Sequence, residues 1–593
     1  MLFGKYINKY YKKYFLFFLV GVIALVAVDY FQLEIPNITG KIIDGIRSGE
    51  LFNEDSKMLR YMLYLGLIAL IMFIGRFAWR YSVFGVAVRI ESDIRDDMFN
   101  HSLKLSNQFY KEHKIGQLMA LFTNDLQAIR QTFGGGTIML IDSLFLGGIA
   151  LFKMIKLNWL LAVLSVIPMS LIVIISLIVG KFMEKRFKER QEAYDALSDF
   201  AQENFSGISV IKAFVKEIFE IKHFSKLNDN NYEKNISYLR LGILLDVLLS
   251  GVLSTIIAIL FGGGAYFVIN ETVFFGETFT PGKLFEFIGY FSSVIWPFMA
   301  ISMLIQMRAQ GKASYKRVEE FLDSKVDIYD TDIIPVDNIK GSIEFKHLNF
   351  KYPDGNENAL SDISFKIDEG MMVGIVGRTG CGKTTIVDLL LRTYNVDEGT
   401  LFIDGVDIMH LPFKKVRDSI GYVPQDNFLF SDTIANNIGF FAENAVSEEK
   451  IEAAARLAVV DENIKDFDNQ YMTVLGERGV TLSGGQKQRV SIARALIKDP
   501  AILIFDDSVS AVDTDTEAKI LSNLRSVRKG KTTIMIAHRI STVETLDMIV
   551  LMDEGKVVDV GSHSDLLRRN DLYKQMVHLQ ELEKEVGGEA NED

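Results

Sequence analysis

Six stretches long and apolar enough to cross a bilayer lie before residue 310, near 14–35, 60–84, 134–156, 159–180, 239–268 and 283–307. A spanning helix needs about 20 predominantly apolar residues, and six such runs exceed what a buried soluble core requires. Lipid offers the backbone no hydrogen-bond partners, so each run is expected to be a helix. The connecting segments alternate in length. Those at 36–58, 153–158 and 269–282 are short, whereas 85–133 and 181–238 are long, charged and rich in helix formers. Lys5, Lys9, Lys12 and Lys13, with the stretch KFMEKRFKER at 181–190, put the N-terminus and the long segments in the cytoplasm. The helices should therefore continue well beyond the membrane. The opening MLFGKYINKYYKKYFLFFLV is basic and then apolar, like a signal peptide, but no small-residue cleavage site follows, so it is expected to remain as a membrane helix. Sequons at Asn37 and Asn270 fall on the outer side and carry information only in a glycosylating host.

Composition agrees with a divided chain. Of the 593 residues, 49% are hydrophobic and 24% charged, and the apolar ones concentrate in the first half. A formal net charge of −12 supplies no concentrated basic face, so nucleic acid is not an expected partner. The single cysteine, Cys381, excludes an intrachain disulfide framework and a Cys-rich metal site. The expected division is a six-helix membrane domain at 1–322, a polar linker at 323–340, a soluble α/β domain at 341–580 and an acidic tail at 581–593.

In the α/β part, the strand MMVGIVG runs into GRTGCGKTT, with phosphate-loop spacing from Gly377 through Arg378, Thr379, Gly380 and Cys381 to Gly382, Lys383, Thr384 and Thr385. Glycines let backbone N–H groups wrap phosphates at a helix N-terminus, Lys383 reaches the β and γ oxygens, and the Thr384 hydroxyl can ligate Mg²⁺. A second buried strand, ILIFD, delivers Asp506 to the same metal. ATP and Mg²⁺ are the expected cofactors. Cys381 lies at the helix N-terminus, where its thiol pKa is expected to be lowered and its alkylation slowed by MgATP.

The stretch TLSGGQKQRVSIARAL at 481–496 resembles the signature motif of the ATP-binding cassette family, with Leu482, Ser483, Gly484, Gly485 and Gln486 intact. Other motifs follow in that family's order. Tyr352 resembles the aromatic that stacks on adenine, and Gln425 the Q-loop glutamine that helps hold the metal. Glu477 resembles the exporter-type X-loop acid, Asp513 the end of the D-loop, and His538 the switch histidine. Six helices before one cassette resemble an exporter-type half-transporter, with coupling-helix regions matched at 115–125 and 203–214. The resemblance implies an ATPase in a cell membrane that moves hydrophobic or amphipathic compounds by alternating access. Lipid flipping and a nucleotide-gated channel or regulator remain alternatives.

One position departs from the family pattern. Asp507 stands where the general-base Glu normally does, one methylene shorter, which resembles the impaired subunit of bacterial heterodimeric multidrug exporters. The implied partner is a second, non-identical half-transporter whose phosphates this chain's signature would cap; an Asp that is still catalytic is the competing reading. Charged residues within the membrane segments are functional candidates. Arg76 and Arg80 lie one turn apart on the second helix; depth counting sets Asp29 aside and keeps Asp142 and Asp246, and the exporter resemblance, which implies that helices four and five go to the partner, favours Asp142 as the partner of Arg76. On helix six, Trp296, Met299 and Met303 suit either packing or a varied apolar ligand.

Overall fold

The computed structural model describes residues 4–53, 55–442, 446–476, 479, 481–508 and 512–589. It divides into two compact units, Met1–Leu103 with Ile115–Ser324, and Lys104–Lys114 with Lys325–Asp593.

The first unit is helical. Its six spanning helices are α1 (Phe15–Arg47), α2 (Asp55–Ser102), α3 (Ile115–Leu157), α4 (Trp159–Ser206), α5 (Glu217–Ile269) and α6 (Pro281–Leu322). At 53 residues α5 is roughly 80 Å long, against a hydrocarbon core of about 30 Å, so the expected extension beyond the membrane is present. α4 packs along α5, α1 along α2, and α6 against α1 and α3. Leu33, Met154, Leu161, Phe287 and Phe291 form part of one buried cluster. Lys13 pairs with Asp93 at 2.6 Å and Lys9 with Asp97, tying the basic N-terminus to the distal end of α2. Thr280 caps α6, and Asp44 accepts from the Thr280 hydroxyl at 2.5 Å and the Gly282 amide at 2.8 Å. Two stretches of α3, Leu121–Asp125 and Asp142–Leu146, are π-helical.

The second unit is the α/β cassette. Its strands are β1 (Ile343–Phe350), β2 (Leu360–Ile367), β3 (Met372–Gly377), β4 (Leu401–Ile403), β5 (Val406–Asp407), β6 (Ile420–Val423), β7 (Ile502–Asp506), β8 (Thr532–Ile536), β9 (Met548–Asp553) and β10 (Lys556–Gly561). β1, β2, β4 and β5 make an antiparallel sheet of order β2-β1-β4-β5. The other six strands run β10-β9-β3-β8-β7-β6, parallel except at the β10 edge. β7 and β8 are buried throughout, as a parallel sheet covered on both faces demands.

The stretch 115–125 forms the start of α3, and the short helix upstream, Asn107–Glu112, belongs to the cassette unit. A short helix does occupy Ile208–Ala213 in the second long segment. At the other end, the final helix runs Asp571–Glu589, straight through the expected tail boundary.

Candidate nucleotide-binding site

β3 ends at Gly377, and helix α7 (Lys383–Leu390) begins six residues later, so the loop between them is short and tightly confined. Gly382 caps α7 with φ +93°, and a Cβ there would lie 2.6 Å from Leu360 Cδ2 and 2.9 Å from the Ala359 carbonyl. Only glycine meets both demands. A side chain at Gly377 would collide with the Met552 carbonyl and the Cys381 sulfur. Lys383 Nζ donates to the carbonyls of Gly377 and Arg378, both at 2.9 Å, which holds the ammonium over the loop.

Tyr352, Thr379, Gly380, Gly382, Lys383, Thr384, Thr385, Gln425, Asp506, Asp507 and His538 line one cavity of about 360 Å³. These residues come from segments up to 186 positions apart in sequence, counting from Tyr352 to His538. β3, β8 and β7 are consecutive interior strands of the sheet, and this adjacency brings the phosphate loop, both acids and the histidine together at their C-terminal ends. The Thr384 hydroxyl donates to Asp506 Oδ1 at 3.1 Å. Burial pushes the Asp506 carboxyl up despite the Thr384 and Tyr422 hydroxyls bonded to it, and Asp507 adds to the shift. The Asp507 amide donates to the Ile536 carbonyl at 3.0 Å, and its carboxylate Oδ2 lies 4.0 Å from His538 Nε2. Its φ of +46° falls in the left-handed region, which aspartate tolerates better than most side chains. Tyr352 bonds the Thr385 hydroxyl at 3.0 Å and meets Phe350 and Tyr394 edge-on.

The signature residues lie outside this cavity. Ser483 and Gln486 form a reciprocal capping box on helix α8 (Gly484–Leu496), with Leu482 buried beneath and Ser483 and Gly484 exposed. Asp513 caps helix α9 (Thr514–Val527) by accepting from the Thr516 amide at 2.9 Å. Glu477, and Ser510 and Ala511 before Asp513, lie outside the described residues.

The whole chain is similar to known proteins. Residues 18–298 match the family profile described as ABC transporter transmembrane region, and residues 360–510 match ABC transporter. The probable multidrug resistance ABC transporter ATP-binding/permease protein YheI of Bacillus subtilis is 37% identical over 580 residues, covering 98% of this chain and 97% of that protein. This chain is an exporter-type half-transporter of the ABC transporter family. An ATP-dependent lipid A-core flippase of Pseudomonas fluorescens is 31% identical, with 96% and 94% covered. The structure of a bacterial Atm1-family ABC exporter with ATP bound matches with a TM-score of 0.74 at 27% identity, covering 97% of this chain and 98% of that one. As an ABC exporter the chain is a multi-pass cell-membrane protein with a cytoplasmic cassette, and it couples ATP hydrolysis to transport.

Three sequence expectations are corrected by this exporter's structure. The Cys381 thiol is pushed up, not down: it is 3% exposed, and desolvation outweighs the nearby Lys383 ammonium. Arg76 and Asp142 share a cavity but form no ion pair. Arg76 donates to Gln32 at 3.4 Å, and Asp142 accepts from Trp296 Nε1 at 2.8 Å. Asp29, which depth counting set aside, lines that same cavity, because α1 and α2 both run past the guessed ends from which depth was counted. Arg80 instead stacks over Trp79 at 5.4 Å, and Asp246 is exposed. On α6, Trp296, Met299 and Met303 are exposed, while Met307 lies against Gly135 and Gly136 of α3.

Four contacts in the cassette unit had no sequence signal. Lys111, on the short helix Asn107–Glu112, donates to the Tyr394 hydroxyl at 2.9 Å and sits 5.0 Å over the Tyr352 ring. Gln580 straddles the switch segment, donating to the His538 carbonyl at 2.6 Å and accepting from the Ile540 amide at 2.7 Å. The fully buried Arg392 reaches Asp330 of the linker at 3.0 Å, and Ser106 bonds Asp327 there at 3.1 Å.

Proposed function

We propose that this chain is one half of a heterodimeric exporter of hydrophobic or amphipathic compounds, multidrug in type, whose own phosphate-loop site binds ATP and hydrolyses it poorly. The observation that carries this reading is Asp507. Its carboxylate lines the chain's own phosphate cavity beside His538, yet it is one methylene shorter than the family's glutamate. The lost reach is roughly 1.3 Å, and a misplacement of that size costs about 10²-fold in rate. The exposed Ser483 capping box, outside that cavity, supports giving the intact signature to a partner's ATP. The similarity to YheI, a probable multidrug resistance transporter, supports the multidrug class, and the flippase relative keeps lipid cargo as the second reading.

In this reading Tyr352 stacks on adenine, and the loop from Gly377 to Thr385 wraps the phosphates with Lys383 on the β and γ oxygens. Thr384 and Asp506, with Gln425, would hold Mg²⁺. A hydroxyl and a carboxylate 3.1 Å apart fit a hard cation, and no cluster of three or more His, Cys, Asp or Glu gathers among the described residues, so water and phosphate must complete its shell. When bound, Mg²⁺ neutralises charge on the phosphate oxygens. Asp507 would accept a proton from the attacking water weakly, and His538 would orient the γ-phosphate. Asp513 holds the start of α9 and would meet the partner cassette as the end of the D-loop.

Steady-state ATPase of the heterodimer tests this. Asp507→Asn should leave most of the turnover, whereas Ser483→Arg, which puts bulk and charge against the partner's γ-phosphate, should abolish most of it. Asp507→Glu should alter the cycle by creating a second hydrolysing site. Equal silencing by Asp507→Asn and Ser483→Arg would mean that Asp507 is an active base.

A further inference from the structure

β8 ends at Ile536, and one residue on the Ala537 amide still donates to the Ile375 carbonyl of β3 at 3.3 Å. His538 and Arg539 then leave the sheet, and the short helix Ile540–Val543 begins with no side-chain cap from Arg539. The His538 side chain is 40% exposed, so packing does not fix it, and its place in the nucleotide cavity is set by its backbone. Gln580 supplies both missing bonds. Its Nε2 donates to the His538 carbonyl at 2.6 Å and its Oε1 accepts from the Ile540 amide at 2.7 Å, so one planar amide continues the pairing of the strand and caps the helix. The helix that carries it, Asp571–Glu589, is anchored where it begins. Tyr573 is fully buried, bonds His563 Nδ1 at 2.8 Å and packs in the same hydrophobic cluster as Ile540 and Val543. Met576 and Val577 pack on that cluster too, and Gln580 lies about two turns beyond Tyr573 on the same face. A second helix holds the far side of the switch segment. The Thr542 hydroxyl donates to Glu517 of α9, a carboxylate 5% exposed whose other oxygen is 3.6 Å from Arg539. The residues from Arg539 onward are thus tied to α9, whereas the carbonyl of the histidine itself is held by Gln580.

We infer that Gln580 is a positioning residue: it fixes the backbone of His538 so that the imidazole meets the γ-phosphate, and through it the final helix sets how strongly this chain's own site prefers ATP to ADP. The inference rests on the reading of His538 given above. A histidine that touches only the third phosphate contributes to binding ATP and nothing to binding ADP. Loss of its anchor therefore removes the preference without emptying the site. Tyr352, Lys383 and the phosphate loop still hold both nucleotides through the adenine and the phosphates they share.

Displacement of fluorescent trinitrophenyl-ADP from the full-length chain in nanodiscs measures the affinities of MgADP and of magnesium adenylyl imidodiphosphate, a non-hydrolysed ATP analogue. Gln580→Met keeps the length of the side chain and removes both bonds; it should weaken the analogue by about fivefold and leave MgADP unchanged. Gln580→Glu still accepts from the Ile540 amide but cannot donate to the His538 carbonyl, so it should lose as much. His538→Ala supplies the reference. Adding Gln580→Met to it should weaken the analogue no further, because the glutamine acts through the histidine. Three results would each overturn the inference and leave the His538 reading standing: equal weakening of both nucleotides, additive losses in the double variant, or Gln580 variants as selective as the unaltered protein. His538→Ala with an unchanged preference for the analogue would overturn both.

Discussion

Arg392 offers the most direct measurement of what holds the linker to the cassette. Its side chain is fully buried, with Nη1 donating to Asp330 Oδ1 at 3.0 Å and to the Leu411 carbonyl at 2.7 Å, and Nη2 to the Tyr329 carbonyl at 3.3 Å. It sits just past α7 with φ +47°, a position helices usually give to glycine. In Arg392→Met the left-handed backbone remains, two good charged hydrogen bonds go at about 1.5–3 kcal/mol each, and Asp330 loses its partner. Asp330 is 21% exposed and keeps the Phe413 amide at 3.0 Å, so water and that donor soften the loss. The net cost should be about 3–4 kcal/mol, within the range for breaking a buried pair. At about 2–4 °C per kcal/mol for a domain of cassette size, the cassette's thermal transition should fall by about 6–16 °C. Combining Arg392→Met with Asp330→Asn should recover part of the loss, since no buried charge is then stranded. Differential scanning fluorimetry of the full-length protein, with proteolysis at 323–340 as a second readout, decides it. A transition for Arg392→Met within 2 °C of the unaltered protein would refute the argument, as would a double variant no better than the single.

Lys111→Met should loosen the segment 104–114 from the cassette. Exposed contacts of an ammonium with a ring are worth about 0.5–1 kcal/mol, so amide exchange there should rise about fivefold, and unchanged protection would show the contact to be idle. Cys381 should be alkylated slowly at neutral pH, because its raised pKa leaves little thiolate. The rate should climb as pH rises, and MgATP should slow it further. Labelling at pH 7 as fast as an exposed cysteine peptide would contradict the burial argument, and Cys381→Ala should remove all labelling because no other cysteine exists.

What the linear sequence determined about this exporter is what neighbouring residues can encode. A run of about 20 apolar side chains has one solution in lipid, so six helices and their order were legible without coordinates. The phosphate loop was equally legible, because Gly377, Gly382, Lys383 and Thr384 act through one contiguous turn whose backbone allows little else. The cavity that joins this loop to Asp506, Asp507 and His538 was anticipated from motif order, but the adjacency of β3, β7 and β8 builds it. Tertiary packing alone decided the rest. Asp29 and Asp142 stand 113 positions apart and reach one cavity only because α1, α3 and α6 pack together. Depth counted along single helices missed this, since an error of a few residues at a helix end shifts a side chain by several ångströms. Arg392, Lys111 and Gln580 read as ordinary surface polar residues until their partners are known. Cys381 was misjudged for the same reason: a helix N-terminus is visible in sequence, whereas the desolvation that overrides it comes from atoms contributed by the whole fold.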